Sequence, residues 1–228
     1  MNIQGFQKLT LLDFPGKTAC TVFTGGCNLR CPFCHNGSLV QNPTEQASVE
    51  PQVIEYLKKR QGILDGVCIT GGEPLLQPDL LEFISRCKEI GMAVKLDTNG
   101  AAPERLEKAI KSGLIDYIAM DIKAAPENYS KAVGFDVSFD PFQKSMELIR
   151  NSGIDYEFRT TAVKGIHTFA DFEKIAKLLK SDEKYFIQKF TDSGNLLDSD
   201  GLGAFSESET EQILENIKKY TPRVASRG

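Results

Sequence analysis

The 228-residue sequence predicts an α/β fold with parallel strands. Three observations carry that expectation. Short β-rich runs alternate with amphipathic helical stretches from about residue 18 onward. The helical stretches are about ten residues long, enough for the right-handed crossover that joins parallel neighbours. Several of them stop at glycine, the residue that most readily ends a helix.

In order, the strand candidates are 18–24, 67–70, 93–96, 117–120, 155–161 and 185–190. The helical patterns are 51–59, 78–90, 103–112, 142–152, 170–180 and 207–220. Pro78-Asp79 opens one helix and Gly91 ends it; Pro103-Glu104 opens the next and Gly113 ends it. Ser152-Gly153 closes another. Six such units build either an open sheet or a curved partial barrel, two outcomes that periodicity does not separate. With no linker and no low-complexity tract, residues 1–228 read as one domain, with 1–17 as an N-terminal extension and 222–228 as a frayed tail.

Composition narrows the function classes. At 41% hydrophobic and 25% charged residues the chain is globular rather than disordered or collagen-like. Lys and Arg total 27 against 31 Asp and Glu, a net charge of −4, so the basic face of a nucleic-acid binder is not expected. No run approaches the roughly 20 apolar residues of a membrane span, and the first residues, Met1-Asn2-Ile3-Gln4, lack a secretory pattern. The expected compartment is therefore the cytoplasm, where thiols stay reduced. The six cysteines then read as ligands or core residues rather than disulfides.

Chemistry in parallel α/β folds sits on loops leaving the carboxyl ends of strands. Four consecutive strand ends here carry polar or glycine-rich groups. The first is Gly25-Gly26-Cys27-Asn28-Leu29-Arg30-Cys31-Pro32-Phe33-Cys34-His35-Asn36, a C-x3-C-x2-C loop. Iron–sulfur clusters are ordinarily held by four cysteines, so three local ones would leave one iron open to a further ligand. The cysteines alone leave other readings open: a redox C-x-x-C, a c-type haem C-x-x-C-H spanning Cys31 to His35, or a structural zinc on three cysteines and His35. The missing export signal weighs against haem, and the adjacency of His35 to Cys34 is awkward for one tetrahedron.

The cysteine loop on the first strand, followed by Thr70-Gly71-Gly72-Glu73-Pro74 on the second, resembles the radical S-adenosylmethionine (SAM) superfamily. Leu12-Asp13-Phe14-Pro15-Gly16-Lys17, the cysteine loop itself and Leu96-Asp97-Thr98-Asn99-Gly100 are similar to glycyl-radical-enzyme activases. Within that group the pattern resembles activating proteins of anaerobic ribonucleoside-triphosphate reductases. The resemblance covers about residues 1–190.

It implies a partial (β/α)6 TIM-like barrel of the radical SAM type. It also implies a 4Fe–4S cluster on Cys27, Cys31 and Cys34, whose open iron chelates the amino and carboxylate groups of SAM. Reductive cleavage would then give methionine and a 5′-deoxyadenosyl radical that abstracts a hydrogen atom. Phe33 would offer an apolar surface to the adenine and His35 would flank it. Carbonyls of Gly71, Gly72 and Glu73 would accept from the SAM ammonium, glycine permitting close backbone approach.

Asp97, Thr98 and Asp121 would hold a monovalent cation beside the SAM carboxylate, with Asn99 and Lys123 on the same strand ends; hard oxygen ligands suit such an ion. Arg159 would anchor the carboxylate through charge-assisted hydrogen bonds. An ordinary ion pair of Asp121 with Lys123 and a structural Arg159 remain the plainer readings.

The sequence also departs from the activase pattern. The sixth strand lacks a histidine for the ribose side, leaving Gln188 or Thr191 as substitutes. Cys20, Cys68 and Cys87 read as buried small apolar residues, and His167 as a loop residue. The function expected is installation of a glycyl radical on a partner enzyme, most naturally an anaerobic ribonucleotide reductase, with flavodoxin or ferredoxin as electron donor. The alternatives are a radical SAM enzyme acting on a small molecule, like 7-carboxy-7-deazaguanine synthase, and a zinc-stabilised binding module.

Overall fold

The computed structural model describes residues 1–41, 47–192 and 194–227. The chain begins with β1 (Ile3–Thr10), β2 (Ala19–Thr24), α1 (Gly37–Gln41), α2 (Glu50–Lys59) and β3 (Gly66–Gly71). Next come a 3-10 turn at Pro74–Leu76, α3 (Leu80–Glu89), β4 (Ala93–Thr98), α4 (Pro103–Lys111) and β5 (Tyr117–Asp121). A second 3-10 turn (Pro126–Asn128), α5 (Tyr129–Val133), α6 (Asp140–Arg150), β6 (Asp155–Lys164) and α7 (Phe169–Leu178) follow. The chain finishes with β7 (Tyr185–Lys189), β8 (Gly203–Ala204), α8 (Glu207–Ile217) and β9 (Val224–Arg227).

Internal contacts divide the chain into two compact units, where the sequence reads as one domain. The first is Met1–Asn28, Ser38–Ala119 and Pro141–Asp155; the second is Leu29–Gly37, Met120–Asp140 and Tyr156–Gly228. Four of the five boundaries fall inside α1, β5, α6 and β6, and the fifth falls between Asn28 and Leu29 in the cysteine loop. No linker composition could mark them.

In the first unit β2, β3 and β4 run parallel, with Ala19 opposite Gly66, Thr24 opposite Gly71, and Ile69 opposite Leu96. Strands covered on both faces need continuous apolar runs, and Val22, Val67, Ile69, Val94 and Leu96 are all fully buried. The helices add apolar stripes. On α3, Leu80, Phe83, Ile84 and Cys87 recur at helical spacing and are buried, so Cys87 packs as a small apolar residue, as expected.

The N-terminal extension is in fact a strand. β1 pairs antiparallel with β2, Ile3 opposite Thr24 and Thr10 opposite Ala19, with register shifts between. Only its two ends are buried, so it carries no apolar run that a sequence pattern could register.

In the second unit β6 and β7 are parallel, Phe158 opposite Tyr185, and β8 pairs antiparallel with β6. Here too the tail corrects an expectation. Residues expected to fray form β9, parallel to β7 with Tyr185 opposite Val224 and Gln188 opposite Arg227; Gly228 lies outside the described residues. The Arg227 guanidinium grips the fully buried Glu157 carboxylate through two bonds of 2.7 and 3.1 Å and covers the Phe186 ring. That bidentate anchor fastens a strand whose own sequence, Val-Ala-Ser-Arg, has little apolar content. Among the described residues no helix is long and apolar enough to cross a membrane.

Candidate active site

In the first unit the loop leaving β2 is packed directly on the turn leaving β3. Gly72 N–H donates to Thr24 O and Glu73 N–H to Gly26 O, both at 2.8 Å. A Cβ on Gly72 would lie 2.0 Å from Gly26 O, and one on Gly71, whose φ is +110°, would lie 2.3 Å from Thr24 N. These glycines are needed because two backbones touch there. Gly26 N–H donates to Leu39 O, and Gln77 Nε2 donates to Gly25 O.

Glu73 sends its side chain inward. The buried carboxylate accepts from Thr98 Oγ1 at 2.9 Å, Leu75 N–H at 3.1 Å and Asn99 N–H at 2.7 Å. It therefore ties the end of β3 to the end of β4. Asn99 continues the chain of contacts: its Nδ2 donates to Asn28 Oδ1 at 2.9 Å and points at Cys27 Sγ at 3.6 Å. A donor aimed at sulfur favours the thiolate over the thiol. Thr98 Oγ1, besides donating to Glu73, accepts from Gly100 N–H. Asp97 meets the Lys95 ammonium, and Cys68 Sγ lies 3.7 Å from Asp97 Oδ1. Cys68 is buried as expected, but among polar partners.

In the second unit the rest of the cysteine loop docks on α5. Arg30 N–H donates to Val133 O at 2.9 Å, and a Cβ on Gly134 would lie 2.2 Å from Arg30 O. Cys34 N–H donates to Cys31 O, turning the backbone between the two thiols. Cys31 is buried and Cys34 half-buried. Both act electrostatically on the Lys123 ammonium.

That ammonium belongs to a charged triad. Asp121 receives Lys123 Nζ at 2.9 Å and Arg159 Nε at 2.8 Å. Burial pulls the Asp121 carboxyl upward, but Arg159 and Lys123 outweigh it and hold the group well below the usual carboxylate range. Burial works against the Lys123 charge, yet Asp121 and then Cys31 hold it above the usual lysine range. Two cations against one anion leave a net positive charge in the surroundings of these two cysteines, a setting that suits anionic sulfur ligands of iron.

Phe33 is buried and stands edge-on to the His167 ring, centroids 6.4 Å apart. His35 is exposed, its ring 5.6 Å from that of Phe190. Gln188 is half-buried on β7 and Thr191 is exposed beyond it. His167, read from the sequence as a loop residue, is a buried brace. Its Nδ1 accepts from Val163 N–H at 3.1 Å, which assigns the ring proton to Nε2 for donation to Lys123 O at 2.8 Å.

Tyr129, whose hydroxyl accepts from Lys123 N–H at 3.3 Å, joins Lys95 and Asn28 as residues that sequence reasoning passed over, and His167 was read there only as a loop residue. A signal existed only for Lys95, which lies two positions before Asp97 in a strand and therefore on the same face.

Among the described residues no group of three or more His, Cys, Asp or Glu is gathered to hold a single metal ion. A four-iron cluster asks for something different: several cysteine thiolates in a short turning loop, with donors and positive charge around the sulfurs. Asn99 at Cys27 and Lys123 at Cys31 and Cys34 fit that chemistry.

The Radical SAM superfamily model matches residues 21–179. The chain belongs to the radical SAM superfamily. A Methanocaldococcus jannaschii protein whose name proposes it as a glycyl-radical enzyme activating enzyme is 34% identical to this radical SAM chain, over 99% of the chain and 95% of its own length. The pyruvate formate-lyase-activating enzyme of Clostridium pasteurianum is 28% identical over 78% of the chain and 76% of its own length. The chain is thus a radical SAM enzyme of the glycyl-radical activating group, a family built around a 4Fe–4S cluster and SAM.

Among solved structures, Streptococcus suis SuiB bound to its precursor peptide SuiA superposes with a TM-score of 0.71 at 15% identity. That match covers 91% of this radical SAM chain, which spans about half of SuiB's length (48%). Escherichia coli coproporphyrinogen III oxidase, titled a radical SAM enzyme, gives 0.57 at 14% identity. These likenesses establish the α/β radical SAM fold expected from the sequence.

Proposed function

We propose that the chain installs a glycyl radical on a partner enzyme, and that the partner is an anaerobic ribonucleoside-triphosphate reductase. The near full-length match to the Methanocaldococcus jannaschii relative supports the glycyl-radical activating role, and the choice of a reductase as partner rests on the resemblance of the sequence motifs alone. By the motif resemblance, the cluster ligands are Cys27, Cys31 and Cys34, and the residues assigned to SAM are Gly71, Gly72, Glu73, Asp97 and Asn99 of the first unit and Lys123 and Arg159 of the second. Held there, a 4Fe–4S cluster would supply the electron for reductive cleavage of SAM, the source of the radical that removes a glycine Cα hydrogen.

The chain's own residues do the positioning. Glu73 locks the β3 and β4 ends, so the Gly71-Gly72 carbonyls present a fixed edge to the SAM ammonium. Lys123 and Arg159 place positive charge toward the SAM carboxylate while Asp121 fixes their direction. Asn99 steadies the Cys27 sulfur. Flavodoxin or ferredoxin supplies the electron.

The test is anaerobic reconstitution followed by three measurements: bound iron, 5′-deoxyadenosine formed under a strong reductant, and the glycyl-radical spectrum of an added reductase. About four irons per chain and a glycyl signal that needs both proteins are expected. Deoxyadenosine without that signal would replace the protein substrate with a small molecule. The 7-carboxy-7-deazaguanine synthase of Methanopyrus kandleri, 25% identical over 82% of the chain, marks that direction.

A further inference from the structure

We infer that Lys95 is a built-in monovalent cation at Asp97, so that this enzyme works without a bound alkali ion there. The inference rests on Asp97 lining the SAM site. The residues that the activase resemblance offers to an alkali ion do not fit one. Asp97 Oδ1 already receives the Lys95 ammonium. The Thr98 hydroxyl donates to Glu73 and accepts from Gly100. In the second unit Asp121 is occupied by Lys123 and Arg159.

The Lys95 ammonium is built in rather than incidental. Lys95 and Asp97 alternate along β4, which puts both side chains on one face. Across the ladder Lys95 is the register partner of Cys68, whose sulfur lies 3.8 Å from Nζ and 3.7 Å from Asp97 Oδ1. Lys95 and Cys68 are 0% exposed and Asp97 is 8% exposed.

A charge with no route to water must keep its counter-charge, because removing one partner leaves the other buried and uncompensated. An alkali ion at Oδ1 would have to displace that ammonium inside the protein. Lys95 therefore does for Asp97 what a potassium ion would do. It neutralises the carboxylate and fixes its orientation at the strand end, as a covalent part of the chain rather than an exchangeable ligand.

The experiment uses anaerobic holoenzyme at matched ionic strength in potassium chloride or in tetramethylammonium chloride, whose cation is too large to enter. Melting midpoint without SAM and SAM affinity are both read. The wild type should give the same midpoint and affinity in both salts. Lys95→Met should melt lower, regain part of the loss in potassium, and bind SAM at least about fivefold more tightly in potassium, a typical coupling between neighbouring bound ligands.

Fivefold potassium dependence in the wild type would overturn the inference, as would a folded Lys95→Met indifferent to the salt. Should Lys95→Met fail to fold, the wild-type comparison decides alone, with Lys95→Arg expected to stay salt-indifferent. If SAM binds in neither salt the proposed function fails, while the melting comparison still tests Lys95.

Discussion

At the ends of β3 and β4 the first unit is tied by neutral donors converging on one buried carboxylate, Glu73. At the end of β5 and on β6 the second unit relies on full charges: Asp121 between Lys123 and Arg159. The first arrangement is direction-specific and dry, so it sets the shape of the backbone that carries Cys27. The second is half-open, with side-chain exposures of 25% for Asp121 and 18% for Lys123, so it supplies field more than shape. Holding a loop in contact with its neighbour takes backbone geometry, whereas attracting anionic groups takes net charge.

The sharpest way to break this contrast is Gly72→Ala. Its Cβ must push the Gly26 carbonyl aside, backbone against backbone, and a loss of about 3 kcal/mol or more is expected in denaturant unfolding. Gly5→Ala, with nothing within 4 Å, should stay within about 0.5 kcal/mol. Equal costs at the two positions would mean that the close approach is not what Gly72 provides.

Glu73→Gln comes next. It keeps the shape but replaces one acceptor with a donor among three donors, for a cost of about 2–3 kcal/mol that salt should not change.

Asp121→Asn should cost less, about 1–2 kcal/mol after allowance for partial exposure, and that cost should shrink in high salt. It also carries a pH signature. The folded carboxyl is depressed, so its contribution is complete above the ordinary Asp value of about 4 and is lost as pH falls below it. The gap between wild type and variant, measured by unfolding at pH 7 and pH 3, should therefore narrow at pH 3. A constant gap would remove the ion pairs as its source.

The smallest perturbation is chemical labelling of cluster-free native protein. Burial pushes the Cys20 and Cys87 thiols up to about 12, so they should resist alkylation at pH 8 while half-buried Cys27 and Cys34 react, as read by peptide mass spectrometry.

Much of this was legible beforehand, for identifiable reasons. The parallel strands and the α3 and α4 boundaries follow from apolar runs and from proline and glycine punctuation, which are local signals. The cysteine loop and Gly71-Gly72-Glu73 are motifs whose spacing is their meaning. Glu73 illustrates where such reading stops: its place in the motif at the end of β3 was visible, but the turn of its carboxylate toward Thr98 and Asn99 was not. His167 gave no signal at all, since its partners are the carbonyl of Lys123, the amide of Val163 and the edge of Phe33.

The alternation of strands with helices and the spacing of the three loop cysteines are properties of residue type and interval, so the chain's letters determine them unaided. Which cation answers each carboxylate, and whether a short polar segment at either end joins the sheet, are decided by neighbours distant in sequence. Arg227 finding Glu157, and Lys95 sharing a buried face with Cys68, come about only when folding removes the water that would otherwise satisfy them.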